Sequence, residues 1–386
     1  MICVTFGRGK LSDMEYQEIL DANYRNQLPT EISSIDKIQT TYGDVLSING
    51  FSLRKTISCK KYKPEGGIYD IDIKHNNVII GTYCLLSHMK CVNLSEMTEP
   101  QRLAYIYLAS MSDVLNGVVP HFSEDCLVIE DKSLMPYLEN SHSSAIWGGF
   151  IESKDTMSLE HGRLPSNTAS IDMISGYLVR TDRHRECLAR AARAEYCTER
   201  FLHLYHYLEL DYDYQIVSDI RKIDENNPKE LWDILKSPRS DIDRLHYVSK
   251  VFSDISFIER LFSMANVYEG VLIEMLYEYD KESNPLKDVE HFKEVFLCGV
   301  PVTRNDADRI KKDKKFSDNF AFSDVSYNEK LLKIMCYIIY RTRCGIAHNK
   351  LGEYNISSSD YDFVVNFAEP LIVSLIRSRM LAEHSS

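Results

Sequence analysis

A chain of 386 residues with 44% hydrophobic and 26% charged side chains holds enough apolar surface to offset the entropy of ordering, which excludes intrinsic disorder. Its 16 Gly and 11 Pro exclude collagen-like and low-complexity classes, and at roughly 150 residues per domain the length predicts two or three units. The formal net charge of −12 argues against a non-specific nucleic-acid coat but leaves room for one local basic patch.

The first ten residues, Met1 to Lys10, lack the long apolar core of a signal peptide. Gly7-Arg8-Gly9-Lys10 is glycine-rich without the spacing or the following Ser or Thr of a phosphate-binding loop, so that reading is rejected. Ile68 to Ile73 alternates apolar and polar residues, His75-Asn76-Asn77 offers a turn, and Val78 to Leu86 continues as a more apolar strand, which predicts a hairpin. Asp70 and Asp72 then fall on its outer, solvated face. Pro100 just inside the start and Gly117 just past the end predict one helix near Gln101 to Leu115. Leu127 to Glu130 reads as a short strand, and Ser153 to Ser170 as a long loop or domain connection.

From about Asp182 the period becomes helical. In the helix predicted over Cys187 to Tyr212, Phe201, Leu204, Tyr205 and Leu208 recur at helical spacing along one stripe. A helix is predicted from Pro228 to Leu235, and the longest helical pattern runs from Phe252 to Tyr279, stopped by Asn284-Pro285. Asp288 to Leu297, Asn328 to about Arg343, and Ser359 to Met380 complete four helices in the last third, the pattern of a bundle. The most apolar stretch, Leu331 to Tyr340, is short and carries Lys333, so no membrane span is expected. Ten cysteines with no C-x-x-C spacing predict reduced thiols and a cytoplasmic setting.

Chemistry concentrates at the end of the third bundle helix, Tyr340-Arg341-Thr342-Arg343-Cys344-Gly345-Ile346-Ala347-His348-Asn349. Cleaving RNA without a metal requires a group that titrates near neutrality to move the proton of the 2′-hydroxyl or of the leaving oxygen, a role suited to His. It also requires a fixed cation for the phosphate, which the planar fork of Arg supplies. Five residues apart, Arg343 and His348 are about 140° apart around an ideal helix. Their convergence therefore calls for a distortion at Gly345 or a second subunit. An Arg-rich helix end followed by Gly is also what an ordinary dipole-complemented C-terminus looks like.

At these residues the chain resembles the HEPN superfamily, four-helix bundles carrying an Arg, four to six intervening residues and a His, often written R-N-x-x-A-H. Arg343, Ala347 and His348 match that motif, and Arg341 is a second possible arginine. Cys344 departs from the Asn, Asp or His common after the arginine in active members. The resemblance covers the C-terminal third. It implies an RNase of the toxin or anti-phage type, cutting RNA as a homodimer without metal, and some members are inactive binding modules.

Residues 301 to 350 carry eleven Lys and Arg against six Asp and Glu, and Lys311, Lys312, Lys314 and Lys315 lead into the motif helix as candidate RNA contacts. His203, His206 and Glu209 have metal-compatible helical spacing, but a polar helix face is the reading adopted. Arg180, Arg183, His184 and Arg185 read as a helix-entry charge cluster. The expectation is an α+β protein with a mixed α/β domain over 1–180, a helical connector over 181–250 and an HEPN-like bundle over 251–386. Its expected function is metal-independent endoribonuclease, with catalytic Arg343, His348 and Arg341, no cofactor, no metal and no membrane. RNA, a second copy and a regulatory protein are the expected partners. The alternative is a non-catalytic module that binds a protein or RNA.

Overall fold

The computed structural model describes residues 13–25, 28, 30–40, 43–57, 69–89, 93–140, 143, 170–173, 179–194, 196–223, 240–252, 254–279, 284–303, 324–348 and 352–384. The chain divides into two compact units, Met1–Glu195 and Tyr196–Ser386. The first is a mixed α+β unit and the second, among its described residues, is helical. The residues expected to form a connector are divided between them: Asp182–Arg193 belongs to the first unit and Cys197–Arg221 to the second.

The first unit is built on a seven-stranded sheet. Its strands are β1 (Ile35–Thr40), β2 (Gly43–Ile48), β3 (Phe51–Ile57), β4 (Asp70–His75), β5 (Val78–Cys84), β6 (Glu124–Glu130) and β7 (Ser170–Asp172). They lie in the order β1-β2-β3-β6-β5-β4-β7, antiparallel throughout except for the parallel β4–β7 pair. The predicted β4–β5 hairpin forms, and its turn places Asn76 at φ 52° and Asn77 at φ 64°. Positive φ at both central residues matches the right-handed twist of the flanking strands, and Asn tolerates it. Asn49 and Gly50 (φ 52° and 80°) make the equivalent turn between β2 and β3.

β6 is central and buried along Asp125–Ile129. Gly81 of β5 faces Ile129 in the register, and a Cβ there would stand 2.7 Å from the Val128 carbonyl oxygen and 2.9 Å from the Ile129 Cα. The two strands approach as they do because the side chain is missing.

On this sheet packs α2 (Glu99–Leu108), with Leu103, Ala104, Tyr105 and Ile106 joining Leu46, Leu53, Cys84, Cys126 and Val128 in one core. The helix predicted over 101–115 is two helices, α2 and α3 (Met111–Asn116). The chain extends at Ala109 (ψ 153°) and Ser110 caps the second helix by accepting from the Asp113 N–H. A short hydroxyl side chain competes for the backbone donors and restarts the helix. Gly117 closes α3 in the left-handed conformation, as expected (φ 66°).

Asp70 is not on a solvated face. It is half-buried, accepting from Thr98 Oγ1 at 2.8 Å and Gln101 Nε2 at 2.7 Å, so it anchors the capping box that starts α2. Burial pushes its carboxyl above the usual range despite those bonds.

In the second unit the helices are α6 (Cys197–Arg221), α7 (Asp241–Ser249), α8 (Ile255–Phe262), α9 (Glu269–Ile273), α10 (Val289–Phe296), α11 (Asp324–Ala347), α12 (Tyr361–Phe363) and α13 (Glu369–His384), after α4 (Asp131–Asn140) and α5 (Asp182–Arg193) of the first unit and its leading α1 (Asp13–Tyr24). α7 packs against both α6 and α11, and α13 packs against α6. Phe262, Phe292, Phe296, Phe363 and Phe367 are fully buried, in edge-on, tilted or stacked contact with one another.

Two buried ion pairs tie α6 to α13. Arg379 Nε donates to Asp211 Oδ2 at 2.5 Å and Arg200 Nε to Glu369 Oε1 at 2.5 Å.

The predicted helix over 187–212 is α5 and α6, separated at Ala194, which is extended. The long helix predicted over 252–279 is segmented. α8 ends where Ser263 Oγ turns back on the Arg260 carbonyl at 2.6 Å, a 3₁₀ turn spans Ala265–Tyr268, and α9 widens into a π turn over Glu274–Glu278. The helix predicted at Pro228–Leu235 and the loop over 153–169 lie outside the described residues.

Candidate functional site

α11 keeps its apolar face in the core, with Leu331, Ile334, Met335, Ile338 and Ile339 buried. Its last turns carry the motif. The helix runs unbroken through Gly345 to Ala347, and the His348 N–H still donates to the Cys344 carbonyl at 3.0 Å.

The two predicted groups meet within one chain, Arg343 Nη1 standing 2.9 Å from His348 Nε2. Neither a helix distortion at Gly345 nor a second subunit is needed. His348 lies just past the last helical residue, and the long arginine side chain crosses the remaining angular gap. A guanidinium only donates. Nε2 is therefore the acceptor in this contact, which calls for the tautomer with the ring proton on Nδ1.

Gly345 has another task. The segment after the motif returns across the helix end, and its Ile356 N–H donates to the Gly345 carbonyl at 2.9 Å, satisfying one of the terminal acceptors. A Cβ on Gly345 would sit 2.9 Å from the Tyr354 carbonyl oxygen and 3.1 Å from Ile356 Cγ1. The bare backbone lets the returning chain hold the last turn, from which His348 emerges.

α6 supplies the other wall. Tyr205 and Glu209 are one turn apart and so share a face. The Arg343 guanidinium carbon lies 5.5 Å from the centre of the Tyr205 ring, and its Nη2 lies 3.9 Å from Glu209 Oε1. The aromatic face and the carboxylate hold the cation from below and from the side. On the far side of Glu209, His206 Nε2 is 4.0 Å from Oε2. Burial pushes the Glu209 carboxyl above the usual range, with Asp241 adding to the rise and His206, Arg343 and Arg244 opposing it. Tyr205 is buried, which drives its phenol far up and keeps it neutral.

Arg341 does not join this group. It is 2% exposed, and its Nε donates at 3.4 Å to the Met275 carbonyl in the π turn that follows α9. Thr342, fully buried, donates to Ile338 O at 2.8 Å. Cys344, next to the motif arginine, is buried and turned away from solvent. Lys311, Lys312, Lys314 and Lys315 lie outside the described residues.

The remaining candidates take structural places. His203 sits 3.6 Å from Glu199, and its ring centre is 6.1 Å from that of His206. Among the described residues no group of three His, Cys, Asp or Glu is placed to hold a metal ion. His184 is fully buried and bonded through Nδ1 to Thr181 Oγ1 at 2.8 Å, and Arg185 pairs with Asp182, so this cluster does start a helix.

An open cavity of about 760 Å³ is lined by Glu274, Tyr279, Glu353, Tyr354 and Asp360 among others, and by neither Arg343 nor His348. Three carboxylates make it a poor seat for a phosphate.

Sequence reasoning passed over Tyr205 and Glu209 as members of the site. The i, i+4 spacing was visible, but only packing of α6 on α11 reveals which helix they face. No family model matches the chain, and no curated protein or solved structure matches it. Among the described residues no helix is long and apolar enough to cross a membrane.

Proposed function

We propose that the helical unit is a metal-independent endoribonuclease of the defence or toxin type, with Arg343 as phosphate anchor and His348 as proton-transfer group. The observation that carries this reading is the 2.9 Å contact between Arg343 Nη1 and His348 Nε2. A fixed cation and an imidazole within one hydrogen bond of each other can take up a 2′-hydroxyl proton while negative charge develops on the phosphoryl oxygens. A phosphodiester entering the fork takes over the guanidinium and releases the Nε2 lone pair. Tyr205 and Glu209 keep the fork in place. Arg341, buried against the π turn, supports α11 instead of touching RNA.

The resemblance to HEPN proteins supports the same reading and adds a homodimer. The lysine run at 311–315 would track flanking phosphates, and the first unit would bind a regulatory partner. A second reading, a non-catalytic module for a protein or RNA, is favoured by Cys344: a buried thiol stands after the motif arginine, where the active proteins it resembles commonly carry Asn, Asp or His.

Incubating the full chain with RNA in excess EDTA separates the two. The nuclease reading expects cutting by the wild type and its loss, by at least about 100-fold, in His348→Ala. Absence of cutting, or cutting that His348→Ala leaves intact, overturns it.

A further inference from the structure

We propose that Glu209 is the second proton-transfer group of this site, donating to the departing 5′ oxygen while His348 Nε2 accepts the proton of the attacking 2′-hydroxyl. This rests on the nuclease reading.

Transesterification of RNA needs two proton movements, and one imidazole covers one of them. The structure sets a carboxyl and an imidazole on the two arms of a single guanidinium. His348 Nε2 is 2.9 Å from Nη1, and Glu209 Oε1 is 3.9 Å from Nη2. A phosphodiester bound by that fork would have the two groups on either side of its phosphorus.

The longer distance matters too. At 3.9 Å Glu209 restrains Nη2 without a hydrogen bond, and among the described residues Arg343 makes one hydrogen bond, to His348. The remaining N–H groups of the fork are available to a phosphate.

The surroundings of the two groups fit these roles. His348 already presents a lone pair, because its partner can only donate. Glu209 is faced by His206 on its own helix, Arg343 on α11, and Asp241 and Arg244 on α7; burial is the largest influence and raises its carboxyl above the usual range, the direction a proton donor needs.

In the step itself the O2′–P bond forms and the P–O5′ bond breaks. The 2′-hydroxyl proton passes to His348, and the Glu209 proton passes to O5′. The products are a 2′,3′-cyclic phosphate and a 5′-hydroxyl, and solvent returns the imidazolium and carboxylate to their starting forms. No metal, oxidant or co-reactant enters. A single protomer then holds both proton-transfer groups and the anchor, so a second copy is not needed to complete the chemistry.

The test compares two substrates with wild type, Glu209→Gln and His348→Ala. On RNA, Glu209→Gln should lose about 10²–10⁴-fold. On a mixture of the four nucleoside 3′-(4-nitrophenyl phosphates), whose leaving group departs without a proton, Glu209→Gln should return to within about 10-fold of wild type. His348→Ala should stay impaired on both. Equal losses of Glu209→Gln on both substrates would mark a merely structural residue and overturn the assignment. So would an unchanged rate on RNA, which leaves the nuclease reading standing. A wild type that cuts neither substrate removes both.

Discussion

Replacing Asp211 by alanine should cost the helical unit about 3–5 kcal/mol, the largest stability loss expected of any single substitution outside its aromatic core. Asp211 is fully buried and accepts from Arg379 Nε at 2.5 Å, while Arg379 Nη2 also donates to Gln215 at 3.0 Å. Taking away the carboxylate removes the counter-charge of a guanidinium that is 4% exposed, and a buried charge that loses its counter-charge is costlier than a missing pair. For a unit of this size the loss lowers the melting temperature on the order of 10 °C, which calorimetry on the full chain measures. The double change Asp211→Leu with Arg379→Met should recover most of it, because removing both charges also removes their desolvation cost. If the single change melts with the wild type, the pair contributes nothing to tying α6 to α13.

The second large effect concerns Arg343. Arg343→Ala should lower RNA cleavage by about 10²–10³-fold, the range for deleting one preorganised donor to a developing oxyanion. Arg343→Lys should fall between the two. It keeps the charge above Tyr205 but presents a point cation where a planar fork reached both His348 and the phosphate. A lysine variant equal to wild type would show that charge alone is used and that the bidentate geometry is irrelevant. Circular dichroism of both variants controls for folding, since Arg343 also rests on Tyr205 at 5.5 Å.

Much of this arrangement is legible in the sequence. The β4–β5 hairpin follows from alternation plus Asn76-Asn77, and Gly117 marks a helix end because only a residue at ease with positive φ closes it this way. The β2–β3 hairpin has its turn signal in Asn49-Gly50. Its strands, GDVLSI and FSLRKTI, mix apolar and polar residues without regular alternation, so the pattern around the turn is weak.

Helix interiors were readable and helix breaks were not. The breaks at Ser110 and Ser263 come from side-chain hydroxyls competing for backbone partners, and the π turn at Glu274–Glu278 from an extra residue that the apolar pattern tolerates. The identity of the Arg–His pair was legible as spacing, but its closure was not. Ideal helical rotation puts Arg343 and His348 on different faces, and only the end of α11 at Ala347 lets them meet. Glu209 was visible as a helical neighbour of His206, while its position beside Arg343 depends on a contact between residues 134 apart in the chain, which no local pattern encodes.

The most direct check on the central claim is the chemistry of the cut ends. With wild-type protein in EDTA, mass spectrometry of the products should find 2′,3′-cyclic phosphate and 5′-hydroxyl termini, and a single 2′-deoxy sugar at the cut position should abolish cleavage there. Products bearing 5′-phosphates, or undiminished cutting at the 2′-deoxy position, would contradict the account, because Arg343 and His348 would then have no 2′-hydroxyl to activate.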